Sequence, residues 1–188
     1  DKIKSGAGEF WYDFMQRNSN NGITGTIITP PTKAVVGGET MKFGDTTLKI
    51  HQFGTAHTEA DLLVEVVEDS VVFLGDTAMR RVANMRDGSF PGTIETMKKA
   101  RELGVKHYVL GHGPHDGVAI CEDMQTFCEN IYNSAVKYYD EGLSDFEMKP
   151  KILAQPFMKD VASNWPGFSG TIGSFISIAV AEAEANMF

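Results

Sequence analysis

Short apolar runs bounded by turn residues dominate the middle of the chain and predict strands. Residues 62–67 and 71–74 are rich in β-branched side chains and flank the acidic turn Glu68-Asp69-Ser70. Glycine-containing turns separate three earlier runs of the same kind, which predict an antiparallel arrangement. The full set of predicted strands is 34–36, 39–43, 46–53, 62–67, 71–74 and 105–110.

Longer segments with apolar residues three and four apart predict helices over 2–18, 93–103, 118–142 and 168–187. Ser144 followed by Glu147 has the spacing of a capping box and predicts one more helix start. Residues 77–92 show no periodicity and predict a loop. The order strand, helix, strand around residues 71–110 is typical of an α/β protein.

Three polar residues lie where predicted strands begin or end. His57 precedes the strand at 62–67, Asp76 follows the strand at 71–74, and His112 follows the strand at 105–110 within Gly111-His112-Gly113. Side chains at strand ends can converge at the rim of a sheet, and imidazole and carboxylate groups are metal ligands. The sequence therefore predicts that these three side chains lie together, about 3 to 6 Å apart, in one metal site.

These segments resemble the metallo-β-lactamase superfamily of metallohydrolases. The matching motifs are the Gly-x-x-His-Thr turn at 54–58, the strand pair ending in Gly75-Asp76, and the Gly-His-Gly turn at 111–113. Within the superfamily, AHTEADLLV, GDTAMRR and VLGHGP are most similar to the glyoxalase-II-like and quinoprotein-relay branches. The resemblance is strong over residues 40–115 and weak in the helical tail.

The resemblance implies an α/β fold, the C-terminal part of an αββα sandwich, that is a single domain over residues 1–188. It also implies a zinc-dependent hydrolase of a small-molecule substrate with an ester, thioester or amide-type bond. In that family arrangement His57 binds the first ion and His112 binds the second ion. Asp76 bridges the two ions and is the catalytic carboxylate. Two such ions generate a hydroxide near neutral pH.

The first motif of the family, His-x-His-x-Asp-His, does not occur in this sequence, whose residues before His57 include only His51 as a histidine. We expect the motif to lie upstream in a longer protein, so that this chain alone binds zinc weakly or not at all. The missing segment, or a second copy of the chain, would then cover the inner face of the sheet. The alternative is a non-catalytic binding or structural module on a degenerate fold of the same kind.

Composition narrows the classes of partner. The net charge of −8 would repel a phosphate backbone and disfavours the nuclease branches of the superfamily, so no nucleic-acid partner is expected. No apolar run reaches the length of a transmembrane helix, and no membrane partner is expected. Cys121 and Cys128 lie two turns apart on a predicted helix, too far apart for a disulfide, and are predicted core residues. The compartment, cytoplasmic or periplasmic, stays open.

Other polar residues near the motifs admit a structural role as well as a functional one. His51 is predicted to be a cross-strand residue, and His115 a solvent-facing loop residue that could also line the substrate mouth. Asp61 could orient His57 or fix the turn that contains it. Arg80, Arg81 and Arg86 could bind an anionic substrate group or belong to a solvated loop.

Overall fold

A computed structural model of the chain describes residues 8–27, 29, 31–82, 85, 87–113 and 115–187. The chain divides into two compact units, residues 1–35 and residues 36–188. The first unit contains helix α1, Gly8–Asn18, on which the rings of Phe10 and Trp11 are 5.5 Å apart. Residues 2–7 of the predicted first helix lie outside the described residues. The single domain over residues 1–188 stays a prediction.

The second unit is built on a five-stranded sheet in the order β1-β2-β3-β4-β5. The first four strands pair antiparallel, and β4 pairs parallel with β5. The mixed α/β architecture and the strands around 46–51, 63–66, 71–74 and 107–110 are confirmed. The strands are β1 Thr40–Phe43, β2 Thr46–His51, β3 Leu63–Val66, β4 Val71–Met79 and β5 His107–His112.

Five helices follow or connect these strands. Two parallel strands need a crossover, and α2 provides it between β4 and β5. Ser89 caps α2 by accepting a hydrogen bond from the N–H of Gly92. The capping box of Ser144 and Glu147 is present at the start of α4, as the sequence predicts. The helices are α2 Phe90–Glu102, α3 Ala119–Asp140, α4 Asp145–Leu153, α5 Pro156–Asn164 and α6 Phe168–Ala185.

The two faces of the sheet differ in what covers them. Leu63, Val72, Leu74, Tyr108 and Leu110 point to one face and belong to the buried core that α2, α3 and α6 complete. Alternate residues on the same strands point to the opposite face, which is also apolar, and Phe73 there is 46% exposed. Strand pairing places further apolar residues on that face, namely Met41, Leu48, Ile50, Val64, Val66, Val71 and Val109, and of these Ile50 is buried.

Several predicted boundaries are wrong. Residues 34–36 are not a strand, since the Val36 N–H donates to the Glu39 side chain and the Gly38 N–H to the Ile50 carbonyl, which turns the chain instead. Residues 77–92 are not one loop, because pairing with β5 extends β4 to Met79 and the Ser89 cap starts α2 at Phe90. Helix α5 is not among the predicted helices, although Pro156 lies in its first turn, a position that proline favours.

In the part of the chain that the structure describes, none of the helices has the length and apolar character needed to span a lipid bilayer.

Candidate metal centre

Asp76 lies inside strand β4, at a place where the pairing with β5 is irregular. Between Gly75 and Met79 the chain advances four residues while the paired residues Leu110 and His112 are two apart. Such a bulge redirects side chains out of the regular alternation. The predicted position of Asp76 just after a strand end is therefore wrong in detail, although the irregular pairing does project its carboxylate at the rim.

His57 lies in the bend that joins β2 to β3. Asp61 fixes this bend by accepting hydrogen bonds from the N–H and the hydroxyl of Thr58, both at 2.8 Å. The Ala56 carbonyl accepts a hydrogen bond of 2.8 Å from the N–H of Ser89, which attaches the bend to the start of α2. Of the two roles considered for Asp61, the contacts show the one that fixes the turn.

His112 is the last residue of β5, and its side chain is 50% exposed. The neighbouring Gly111 faces the Asp76 carboxylate so closely that a Cβ atom at residue 111 would collide with Oδ1 of Asp76 and approach the Gly75 carbonyl oxygen to 2.7 Å. The glycine therefore provides the space in which the carboxylate lies beside His112. The sequence marked this glycine only as part of a turn motif.

The three predicted ligands lie together at the rim of the sheet. Nε2 of His112 is 3.5 Å from Oδ1 of Asp76, and Nε2 of His57 is 3.9 Å from Oδ2 of the same carboxylate. Each carboxylate oxygen thus faces one imidazole. The three residues come from a bend, a bulged strand and a strand end that are distant in sequence.

Imidazole nitrogen and carboxylate oxygen are donor atoms that zinc binds. The distances between these atoms are close to the distance expected between two ligands of one zinc ion. Two ligand atoms about 2.1 Å from one tetrahedral zinc ion lie about 3.4 Å apart. The distance from His112 to Asp76 is near this value, and the distance from His57 to Asp76 is longer. Among the described residues, however, no group of three or more His, Cys, Asp or Glu side chains forms a cluster that could hold a metal ion. The ligand roles of His57, Asp76 and His112 stay predictions.

The remaining three histidines are structural or exposed residues, and His107 is exposed at the start of β5. Nε2 of His51 lies 2.8 Å from Oε2 of Glu65 on the adjacent strand, so His51 is a cross-strand residue. His115 is exposed in the loop after β5.

Cys121 and Cys128 are free and buried in α3, which confirms their place in the core.

The arginines after Asp76 differ in their surroundings. Arg80 is paired with two carboxylates, Oδ2 of Asp116 at 3.1 Å and Oδ2 of Asp123 at 2.7 Å. Burial lowers the pKa of Arg80, but the hydrogen bonds to the two carboxylates outweigh burial and raise it. Arg81 lines a cavity beside His112. Arg86 lies outside the described residues.

The structure is similar to solved metallo-β-lactamases. A metallo-β-lactamase from Pontibacter korlensis superposes with a TM-score of 0.50 at 16% identity, over 63% of this chain and 62% of that chain. VMB-1 superposes with a TM-score of 0.46 at 18% identity, over 62% of this chain and 52% of that chain. The match therefore spans less than two thirds of either solved chain. The chain has a metallo-β-lactamase-like fold, as the sequence motifs implied.

The sequence itself has no match among family models or curated proteins. The similarity to the glyoxalase-II-like and quinoprotein-relay branches stays a prediction.

Proposed function

We propose that the chain is the C-terminal part of a zinc-dependent hydrolase that cleaves an ester, thioester or amide-type bond in a small molecule. One observation carries the proposal: the Asp76 carboxylate lies between the imidazoles of His57 and His112, 3.9 and 3.5 Å away, at the rim of a metallo-β-lactamase-like sheet. Because a fold alone does not determine a reaction, the proposal depends on this arrangement of ligand types.

Three residues would hold the zinc. His112 would contribute to one ion, His57 to the other, and the carboxylate of Asp76, which lies between the two imidazoles, to both. Zinc bound in such a site lowers the pKa of water to near neutrality and polarises a carbonyl group. Gly111 keeps the carboxylate in place by leaving room for Oδ1, and the Asp61–Thr58 hydrogen bonds hold the bend that carries His57.

Three ligands are too few for two ions, because each missing ligand is replaced by exchangeable water. We therefore propose that full activity needs the His-x-His-x-Asp-His segment of the superfamily, supplied upstream of the present residues. The 188-residue chain alone should bind zinc weakly and hydrolyse poorly.

The experiment compares the 188-residue chain with a longer protein that includes such a segment. Both are analysed for bound zinc by mass spectrometry and assayed with thioester and lactam substrates. We expect the longer protein to bind about two zinc ions and to be active, and Asp76→Ala to abolish most of that activity. Asp69→Ala, in the exposed β3–β4 turn, is the matched control and should keep it.

Two results would decide against the proposal. If the short chain already holds two zinc ions and turns over as fast as the longer protein, the incomplete-site argument is wrong. If the longer protein binds no metal and hydrolyses neither substrate, the non-catalytic module is the better account.

A further inference from the structure

The bend that carries His57 packs against two glycines at the start of α2. A Cβ atom at Gly92 would collide with the carbonyl oxygen of Thr55. A Cβ atom at Gly88 would collide with the carbonyl oxygen of Ala56 and would lie 2.6 Å from that of His57. Three consecutive carbonyl groups of the bend therefore lie in space that exists because residues 88 and 92 have no side chain.

Hydrogen bonds hold the backbone on both sides of His57. Before it, the Ala56 carbonyl accepts the 2.8 Å hydrogen bond from the Ser89 N–H, and Ala56 is completely buried. After it, Asp61 accepts hydrogen bonds from the N–H and the hydroxyl of Thr58. The position of His57 therefore depends on where the first turn of α2 lies, because a shift of Ser89 would move Ala56 with it.

Helix α6 fixes that first turn through one carboxylate. Glu182 accepts hydrogen bonds from the Ser89 hydroxyl at 2.6 Å and from the Phe90 N–H at 2.8 Å. The Phe90 ring also lies 4.8 Å from the ring of Phe175 on the same helix. Ser89 thus binds α6 with its hydroxyl and the bend with its N–H, so a single residue separates Glu182 from the segment that carries His57.

The other two predicted ligands are held in a different way. Asp76 and His112 lie in the paired strands β4 and β5, so strand pairing determines the 3.5 Å between their side chains. The 3.9 Å between Asp76 and His57 instead connects strand β4 to the bend. A change at the start of α2 should therefore alter the distance from Asp76 to His57 and leave the distance from Asp76 to His112 unchanged.

We propose that Glu182 is a positioning residue, which holds His57 beside Asp76 through Ser89. The side chains of a metal site need to lie within about 0.5 Å of their working geometry, so the place at which α2 begins bears on zinc binding. The proposal rests on the function proposed above for its effect on zinc, whereas its effect on the position of His57 is measurable without a metal.

The test compares variants of the 15N-labelled chain by NMR, before and during a titration with zinc. Glu182→Gln keeps the shape of the side chain but has one acceptor oxygen in place of two. Ser89→Ala removes the hydroxyl, and Gly92→Ala inserts a methyl group against the bend. These three changes disturb the contact, whereas Ser89→Thr keeps a hydroxyl at the same helix cap.

Two controls match these changes. Glu184→Gln makes the same charge change on α6, where the carboxylate accepts a hydrogen bond from Tyr139 of α3. Gly170→Ala, like Gly92→Ala, alters the third residue of a helix, but no described neighbour outside its own helix lies within 4 Å of the Cβ position. Melting temperatures establish that each variant is folded, and the two Ser89 variants carry the test if Gly92→Ala does not fold.

We expect the three disturbing changes to shift the imidazole resonances of His57 but not those of His112, and to weaken zinc binding about tenfold. Ser89→Thr and both controls should leave the resonances and the zinc affinity unchanged. The proposal is wrong if the two imidazoles respond alike or not at all, if Ser89→Thr acts like Ser89→Ala, or if the controls have the same effect as the disturbing changes.

The zinc titration separates this proposal from the proposed metal centre. If His57 alone responds in the metal-free variants but zinc binds neither this chain nor the longer protein, the metal centre is wrong and the positioning of His57 stands. If zinc binds with the same affinity in every variant, the role of Glu182 is wrong and the metal centre stands.

Discussion

Gly111 is the residue on which the position of the Asp76 carboxylate depends most directly. An alanine there would place its Cβ against Oδ1 of Asp76. We expect Gly111→Ala to displace the carboxylate, to lower the free energy of unfolding by about 1–3 kcal/mol as overpacking does, and to weaken zinc binding. Gly117→Ala is the control, because nothing lies within 4 Å of its Cβ position. Chemical denaturation and zinc titration measure both effects, and equal behaviour of the two variants would contradict the packing argument.

The two thiols of α3 should be inert in the folded protein. Burial raises the pKa of Cys121 to about 12, and burial raises the pKa of Cys128 as well. The thiolate is the reactive form, so neither residue should react with a disulfide reagent at pH 8 until the chain unfolds. In the unfolded chain the thiols ionise near pH 9. Because their pKa values are higher in the folded protein, the free energy of unfolding falls as the pH rises between about 9 and 12. Rapid labelling of native protein at pH 8 would contradict the burial of α3.

At the residue scale, the ligand candidates could be found in the sequence because their neighbours are distinctive. His112 lies between two glycines, and Asp76 follows Gly75 at the end of an apolar run. The ion pairs of Arg80 could not be found in this way. They depend on Asp116 and Asp123, which are 36 and 43 residues away from Arg80 in the sequence.

At the scale of elements, Glu182 of α6 connects that helix to the start of α2 through hydrogen bonds. It accepts hydrogen bonds from the Ser89 hydroxyl at 2.6 Å and from the Phe90 N–H at 2.8 Å. A carboxylate at a helix N-terminus is favourable in charge as well as in hydrogen bonding. We expect Glu182→Gln to lower the free energy of unfolding by about 1–2 kcal/mol.

The control for this prediction is Glu184→Gln on the same helix, where the carboxylate accepts one longer hydrogen bond, of 3.4 Å, from Tyr139. Urea denaturation compares the two variants. If Glu184→Gln lowers the free energy of unfolding as much as Glu182→Gln does, the hydrogen bonds of Glu182 to the start of α2 do not explain the loss.

The same elements show what local pattern can and cannot predict. The apolar stripes predicted α3 and α6 because their period is internal to each helix. The extension of β4 past Asp76 depends on pairing with β5, more than 30 residues later, and its small and polar residues carry no strand signal. The start of α2 does have a local signal in Ser89 and Pro91, but this signal is a cap and a proline, not a periodic pattern.

At the scale of the whole molecule, we propose that a further segment or a second copy of the chain covers the apolar face of the sheet opposite α2 and α3. Phe73 lies on this face and is 46% exposed. We expect the 188-residue chain to self-associate or to bind a hydrophobic dye, and Phe73→Thr to reduce either effect. Phe146→Thr, at a phenylalanine of α4 that is 85% exposed, is the control and should change neither.

Light scattering and dye fluorescence measure these two effects. A soluble monomer that binds no dye would contradict the proposal that a further segment or a second copy covers this face. If Phe73→Thr and Phe146→Thr reduce association equally, exposed phenylalanines in general cause the association, and the sheet face is not its specific site.

His57, Asp76 and His112 are proposed to form a metal centre. X-ray diffraction at the zinc edge, on crystals of the chain soaked in zinc, is the decisive test. We expect an anomalous peak about 2.0–2.2 Å from a carboxylate oxygen of Asp76 and from Nε2 of His112 or His57, and we expect its loss in crystals of Asp76→Ala. A peak that persists at the two histidines without Asp76, or zinc bound only elsewhere on the chain, would contradict the proposal.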